Sequence, residues 1–192
     1  MSERTKYVSF AGMIAACYVV LTFVSSMFGL SSGSIQIRFS EGLNTLVCYT
    51  GAAVPGLFIG CLVANLLTGG CALDLVFGSL ATLIGASLGR KLSTIENGKY
   101  NMLVPIPTIL ANAIIVPWVL QKGYNVPLEY NYLFITVGVG EVISAGLIGM
   151  FVYFSLYRIS FFRSMMNEDK PSEVKKETTE EVADKTETKE GE

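Results

Sequence analysis

One acid and one amide stand alone in long apolar stretches of this chain. Glu141 lies eleven residues into the run 130–157, and Asn112 lies nine residues after Leu103. A helix would carry each to a depth of about 14–16 Å, near the centre of a bilayer. An unpaired carboxylate at that depth is costly and usually marks a functional site. The pair predicts either a polar binding site or a structural hydrogen bond between a protonated Glu141 and Asn112.

A second polar group begins directly after Ser40, a residue type that favours a helix N-cap. Glu41, Asn44, Thr45 and Cys48 follow the i, i+3, i+4, i+7 spacing that places residues on one face of an α-helix. The sequence therefore predicts a polar stripe on an otherwise apolar helix. Two interpretations of Glu41 remain open, a ligand contact and an interfacial acid that faces a helix N-terminus.

Further polar residues are expected at the outer opening of the binding site that these acids and amides would form. Asp74 opens a helix after two glycines, Asn65 ends the preceding helix, and Arg38 is interpreted as the partner of an outer acid. For Asp74 an acid at a helix N-terminus is the alternative. Carboxylates accept paired N–H groups from an amidine-like edge and neutralise an ammonium group, and Trp118 offers a stacking surface. The set predicts a small, flat ligand with several hydrogen-bond donors.

The charge distribution predicts a membrane protein with an acidic tail. Between Tyr7 and Gly89 the chain carries only three charged residues, whereas about a quarter of the residues in a soluble domain are charged. Residues 1–163 have a net charge of +3, and residues 164–192 have a net charge of -5 and no aromatic residue. We therefore predict one membrane domain over 1–163 and a disordered, cytoplasmic acidic tail over 164–192.

The number of membrane crossings follows from the basic residues. The run 42–73 is 32 residues long, which is about 48 Å as one helix and too long for one span. Cytoplasmic loops collect Lys and Arg. If the basic residues before the first helix and those at 90–99 all lie inside, an even number of crossings must separate them. The run 42–73 must then cross twice, and we expect its break at 51–56. We predict an all-α bundle of six transmembrane helices with both termini cytoplasmic. The second helix, about Glu41–Thr50, is short and either leans on 34–40 or sits buried among its neighbours. The basic clusters lie at Arg4, Lys6, Arg90, Lys91, Lys99, Arg158 and Arg163.

The sequence argues against several types of chemistry. The chain has no His, and its four Cys show no metal-ligand spacing, so neither a metal nor a cofactor is expected. The P-loop pattern G-x-x-x-x-G-K-[ST] and two hydrolase patterns, G-x-S-x-G and H-E-x-x-H, are absent. We predict a non-enzymatic component that binds a solute and not nucleic acid. The small pair Ala11 and Ala15 predicts close helix packing, either within the bundle or against a partner.

Five motifs follow one another along the chain: Ile35-Gln-Ile-Arg-Phe-Ser-Glu41, Pro55-Gly-Leu-Phe-Ile-Gly-Cys-Leu-Val-Ala-Asn65, Asp74-Leu-Val-Phe-Gly-Ser-Leu-Ala-Thr-Leu83, Leu110-Ala-Asn-Ala113 and Val139-Gly-Glu141. This ordered set resembles the QueT family over about residues 6–160, with the tail outside the resemblance.

The resemblance implies a multi-pass plasma-membrane protein, the substrate-binding S component of an energy-coupling-factor (ECF) transporter. Such a component binds its solute on the outer side and associates with a transmembrane coupling protein and two cytoplasmic ATPases. The implied solute is a queuosine precursor, a 7-deazaguanine such as preQ1 or preQ0. The pair Ala11 and Ala15 resembles the element that docks on the coupling protein. Ligand contacts are expected at Arg38, Glu41, Asn65, Asp74, Asn112, Trp118 and Glu141.

Three alternatives to this function remain open. The chain could be an S component for another vitamin or nucleobase, or a carrier that moves a small solute alone. A membrane hydrolase that uses Glu41 and Glu141 as an acid pair is the third. The absence of His and of a catalytic motif argues against the hydrolase.

Overall fold

The computed structural model describes residues 2–30, 36–95 and 100–168, and all regular structure in these ranges is helical. A 3-10 helix, Phe39–Cys48, lies between α1 and α2, and a short 3-10 turn, Asn101–Leu103, precedes α4. Two π-helical segments, Asp74–Gly78 and Val142–Ile148, lead into α3 and join α5 to α6. The α-helices are α1 (Glu3–Met27), α2 (Ala53–Leu67), α3 (Ser79–Thr94), α4 (Pro105–Gly123), α5 (Tyr130–Glu141), α6 (Gly149–Tyr157) and α7 (Ser160–Glu168).

Four continuous helices in the described ranges are long and apolar enough to cross a membrane. α2 is apolar but has only 15 residues. The chain is therefore a helical, multi-pass membrane protein, and the count of six crossings stays a prediction. Lys99 and the predicted tail from residue 169 onward lie outside the described residues. The four helices are Glu3–Met27, Asp74–Thr94, Asn101–Gly123 and Tyr130–Tyr157.

The second predicted helix lies among its neighbours instead of spanning the membrane as an α-helix. It is a ten-residue 3-10 helix, with most of its residues buried. Because a 3-10 helix has about three residues per turn, its faces repeat every three residues. Glu41 and Asn44 therefore share one face with Val47, and the predicted four-residue stripe, which assumed an α-helix, is wrong for Thr45 and Cys48.

The small residues of α1 pack against α2 within the bundle. A side chain added at Gly56 would lie 2.8 Å from the backbone oxygen of Ala11, and one at Gly60 would lie 3.1 Å from the Cα of Ala15. Small residues allow two helix backbones to approach this closely. The structure thus places Ala11 and Ala15 in the packing between α1 and α2, and docking of this pair on a coupling protein stays a prediction.

An aromatic cluster packs the residue after the 3-10 helix, Tyr49, against α6 and α7. The Tyr49 hydroxyl donates a hydrogen bond of 2.6 Å to the backbone oxygen of Tyr153, and their rings lie 5.6 Å apart. Phe162 and Met166 of α7 pack against this core. α7 extends five residues beyond residue 163, the predicted end of the membrane domain.

Candidate functional site

An open cavity of about 680 Å³ lies at the end of the bundle where α4 meets the start of the π-segment Asp74–Gly78. We call it the outer cavity. Its volume falls within the range of about 300–1,000 Å³ that is usual for small-molecule sites. The residues that line it are Thr22, Phe23, Ser26, Gln36, Arg38, Leu67, Thr68, Gly69, Gly70, Asp74, Val116, Val119, Leu120, Tyr124 and Val126.

Below the outer cavity lies a small polar chamber around Glu41, Asn112 and Glu141, which we call the acid chamber. Its volume is about 10 Å³, room for about one water molecule. The structure brings together the three residues that the sequence singled out in different apolar runs. The other residues that line it are Gln36, Arg38, Cys61, Gly78, Thr82, Val116 and Val137.

Both carboxylate oxygens of Glu41 already have protein partners. The Tyr18 hydroxyl of α1 donates to Oε1, and the Asn44 side-chain amide donates to Oε2 over 2.6 Å. Glu41 is only 2% exposed, so these bonds replace the water that it would otherwise bind. Glu41 is thus held in a fixed orientation by α1 and by its own 3-10 helix.

Glu141, in contrast, keeps a free acceptor. Its side chain is buried, and Oε2 has no hydrogen-bond partner in the structure. Asn112 lies beside both Glu41 and Glu141, close enough to interact with each carboxylate. A buried acceptor without a partner costs free energy unless a ligand or water completes it. Glu141 Oε2 is therefore the part of the chamber best suited to receive an N–H donor.

Arg38 stands at the boundary of the two cavities and lines both of them. Its Nη2 atom lies 3.7 Å from Oδ2 of Asp74, which confirms the predicted pairing with an outer acid. Its Nη1 atom donates to Oδ1 of Asn65 over 3.4 Å, and its Nε atom is buried without a partner. The guanidinium is thus held by long contacts.

Tyr124, in the segment after α4, supports Asp74 from the outer side. Its hydroxyl donates to Oδ2 of Asp74 over 3.0 Å and accepts from the backbone N–H of Cys71 over 3.2 Å. Burial and the neighbouring Asp74 carboxylate raise the pKa of Tyr124 to about 12. The hydroxyl therefore stays protonated near neutral pH and remains a donor to Asp74.

Comparison with known proteins identifies the family of this chain. Residues 8–158 match the family model of the QueT transporter. The chain belongs to the QueT transporter family. A similar curated protein is the queuosine precursor transporter QueT of Lactococcus lactis subsp. cremoris (strain MG1363), which is 36% identical over 77 residues. That match covers 40% of this chain and 45% of the relative, less than half of each. No solved structure matches the chain.

Within this QueT family member, two of the residues expected at the ligand line neither cavity, and their ligand contacts stay predictions. Trp118 is 39% exposed, packs its ring against the edge of Phe77 at 5.0 Å, and lines neither cavity. Its neighbour Val119 faces the outer cavity, and one residue along an α-helix turns the side chain by about 100°. Asn65 is buried and also lines neither cavity, but it holds Arg38.

Sequence reasoning missed Tyr18 and Tyr124 in this family member. Tyr18 belongs to a buried face of α1 that also carries two hydroxyl residues, Thr22 and Ser25. A helical repeat of hydroxyl groups inside a membrane span was a readable signal for that face. Tyr124 lies outside any helix and carried no such periodic signal.

Proposed function

We propose that this chain is the solute-binding S component of an ECF transporter, and that it captures a queuosine precursor of the 7-deazaguanine type. One observation carries the proposal, the free Oε2 atom of Glu141 beside Asn112, beneath a cavity large enough for a bicyclic base. Family membership and the printed function of the Lactococcus relative support the choice of solute.

The chemistry of the chamber suits a guanine-type edge. Such an edge presents adjacent N–H donors, and a carboxylate accepts two parallel bonds of this kind. Glu141 supplies the acceptor, and the Asn112 amide provides both a donor and an acceptor for the rest of the ring edge. The outer cavity takes the remainder of the base and any substituent, and an aminomethyl cation there would offset the negative charge of Asp74.

The proposal also specifies the membrane topology of the chain and the source of energy for uptake. Six helical segments, with both termini cytoplasmic, place the outer cavity on the extracellular side and most Lys and Arg residues inside. The chain has no P-loop motif, so uptake draws on a transmembrane coupling protein and two ATPase subunits. Capture of the solute itself requires no nucleotide.

Binding and uptake test separate parts of this function. We expect the purified chain to bind a 7-deazaguanine in calorimetry without ATP, and to bind adenine or pyrimidines far more weakly. In vesicles, we expect uptake only when the coupling protein and ATPases are present. Uptake into vesicles that hold this chain alone would contradict the S-component role, and equal affinity for every base in the panel would contradict the proposed solute.

A further inference from the structure

The outer cavity and the acid chamber are separated by a thin wall. Three residues, Gln36, Arg38 and Val116, line both cavities. The chamber alone, at about 10 Å³, cannot admit a bicyclic base. Any ligand that reaches Glu141 from the outer side must therefore pass this wall.

The backbone of residues 36–39, which forms part of the wall, is held in place, so a rigid shift of these residues would not open the passage. The Arg38 N–H donates to Oγ of Ser144 over 3.1 Å, and the next N–H, of Phe39, donates to Oγ of Ser25 over 2.8 Å. Gly140 allows the backbone of Gln36 to lie directly against α5, because a side chain at Gly140 would collide with it. Only side chains remain free to open the passage.

The Arg38 side chain is held only loosely. Strong charge-assisted bonds of a guanidinium are about 2.7–2.9 Å long. The contacts of Arg38 with Asp74 and Asn65 are 3.7 Å and 3.4 Å, and its Nε atom has no partner. A long, flexible side chain with such contacts is released at a smaller cost than a bidentate pair.

We propose that the Arg38 guanidinium closes the passage between the outer cavity and the acid chamber, and that Asp74 and Asn65 hold it closed. The guanidinium and a guanine-type edge are both flat sets of N–H donors. A ligand of that class therefore brings a planar set of donors past Arg38 to Glu141, whose Oε2 atom has no partner. The identity of the ligand rests on the proposed function, but the closed passage does not.

A native thiol in the chamber tests the passage without any ligand. Cys61 lines the acid chamber and is 1% exposed, whereas Cys48 is 2% exposed in the hydrophobic core and lines neither cavity. The full chain is purified with Cys17→Ser and Cys71→Ser, so that only the two buried thiols remain. Its labelling by aminoethyl methanethiosulfonate is then followed at each thiol by peptide mass spectrometry.

We expect the labelling rate of Cys61 to rise at least about tenfold in Arg38→Ala and in Asp74→Asn, because the first removes the guanidinium from the passage and the second removes the charge that holds it there. The rate at Cys48 should not change. Asp74→Asn leaves the Arg38 side chain intact but removes its charged partner, so it tests release of the side chain and not only lost volume. Glu129→Gln, the same kind of change at an exposed position, should leave both rates unchanged.

Two results would overturn the proposal. One is an unchanged rate at Cys61 in both variants. The other is an equal rise at Cys61 and Cys48 in both variants, since the Arg38–Asp74 pair would then hold the fold together instead of closing a passage. Failure of the wild-type chain to bind a deazaguanine would count against the proposed function and leave the labelling result intact.

Discussion

The hydroxyl of Tyr18 donates a hydrogen bond to Oε1 of Glu41, and this bond ties α1 to the 3-10 helix inside the acid chamber. Asn44 occupies the other oxygen of Glu41. The two carboxylates of the chamber therefore differ in role. Glu41 is oriented by the protein, whereas Glu141 retains a free oxygen for a ligand.

Tyr18→Phe should lower both stability and affinity. The change leaves one oxygen of the buried Glu41 without its donor, which costs about 1–3 kcal/mol of unfolding free energy. Thermal unfolding and ligand calorimetry of the purified chain measure the two effects. Tyr132→Phe is the matched control because Tyr132 is 52% exposed. Equal behaviour of the two variants would contradict the role given to Tyr18.

Gly85→Ala should destabilise the chain where α3 crosses α4. A side chain at Gly85 would lie 2.6 Å from the Cα of Thr108, so the two helices would have to separate, at a cost of about 1–3 kcal/mol. Gly12→Ala is the control, because nothing lies within 4 Å of the added carbon. We expect a lower midpoint of thermal unfolding for Gly85→Ala alone. The same midpoint for both variants would show that the α3–α4 contact is looser than the structure has it.

Trp118→Leu should leave ligand affinity unchanged, because Trp118 packs on Phe77 outside both cavities. Tyr124→Phe, in contrast, removes the donor to Asp74 at the outer cavity and should weaken binding by about threefold to tenfold. Calorimetry of both variants with one 7-deazaguanine makes the comparison. A large loss of affinity in Trp118→Leu would restore the stacking role that the sequence suggested.

The residue types in the apolar runs were enough to predict part of the site. Polar groups inside a bilayer are costly and usually mark a functional site. The sequence alone therefore identified Glu141, Asn112 and Glu41 as candidate site residues. Their convergence required only that the helices form one bundle. The pairing of Arg38 with an outer acid followed from the scarcity of cations in the same stretch.

Other features depend on tertiary packing that a single sequence does not encode locally. The orientation of Trp118 is set by the rotation of α4, and one residue of error moves a side chain to a different face. The pair Ala11 and Ala15 predicts a close helix neighbour without identifying it, and only the structure shows that α2 packs against this part of α1. The 3-10 geometry around Glu41 depends on the helices that enclose it, since long 3-10 helices are uncommon on their own.

Calorimetry of a 7-deazaguanine against the wild-type chain and Glu141→Gln tests the central claim most directly. The substitution keeps the size of the side chain but replaces one acceptor oxygen by an NH2 group, so we expect affinity to fall by about tenfold to a hundredfold, with no change in Glu129→Gln. Equal affinity of Glu141→Gln and the wild-type chain would show that the free oxygen in the acid chamber does not receive the ligand.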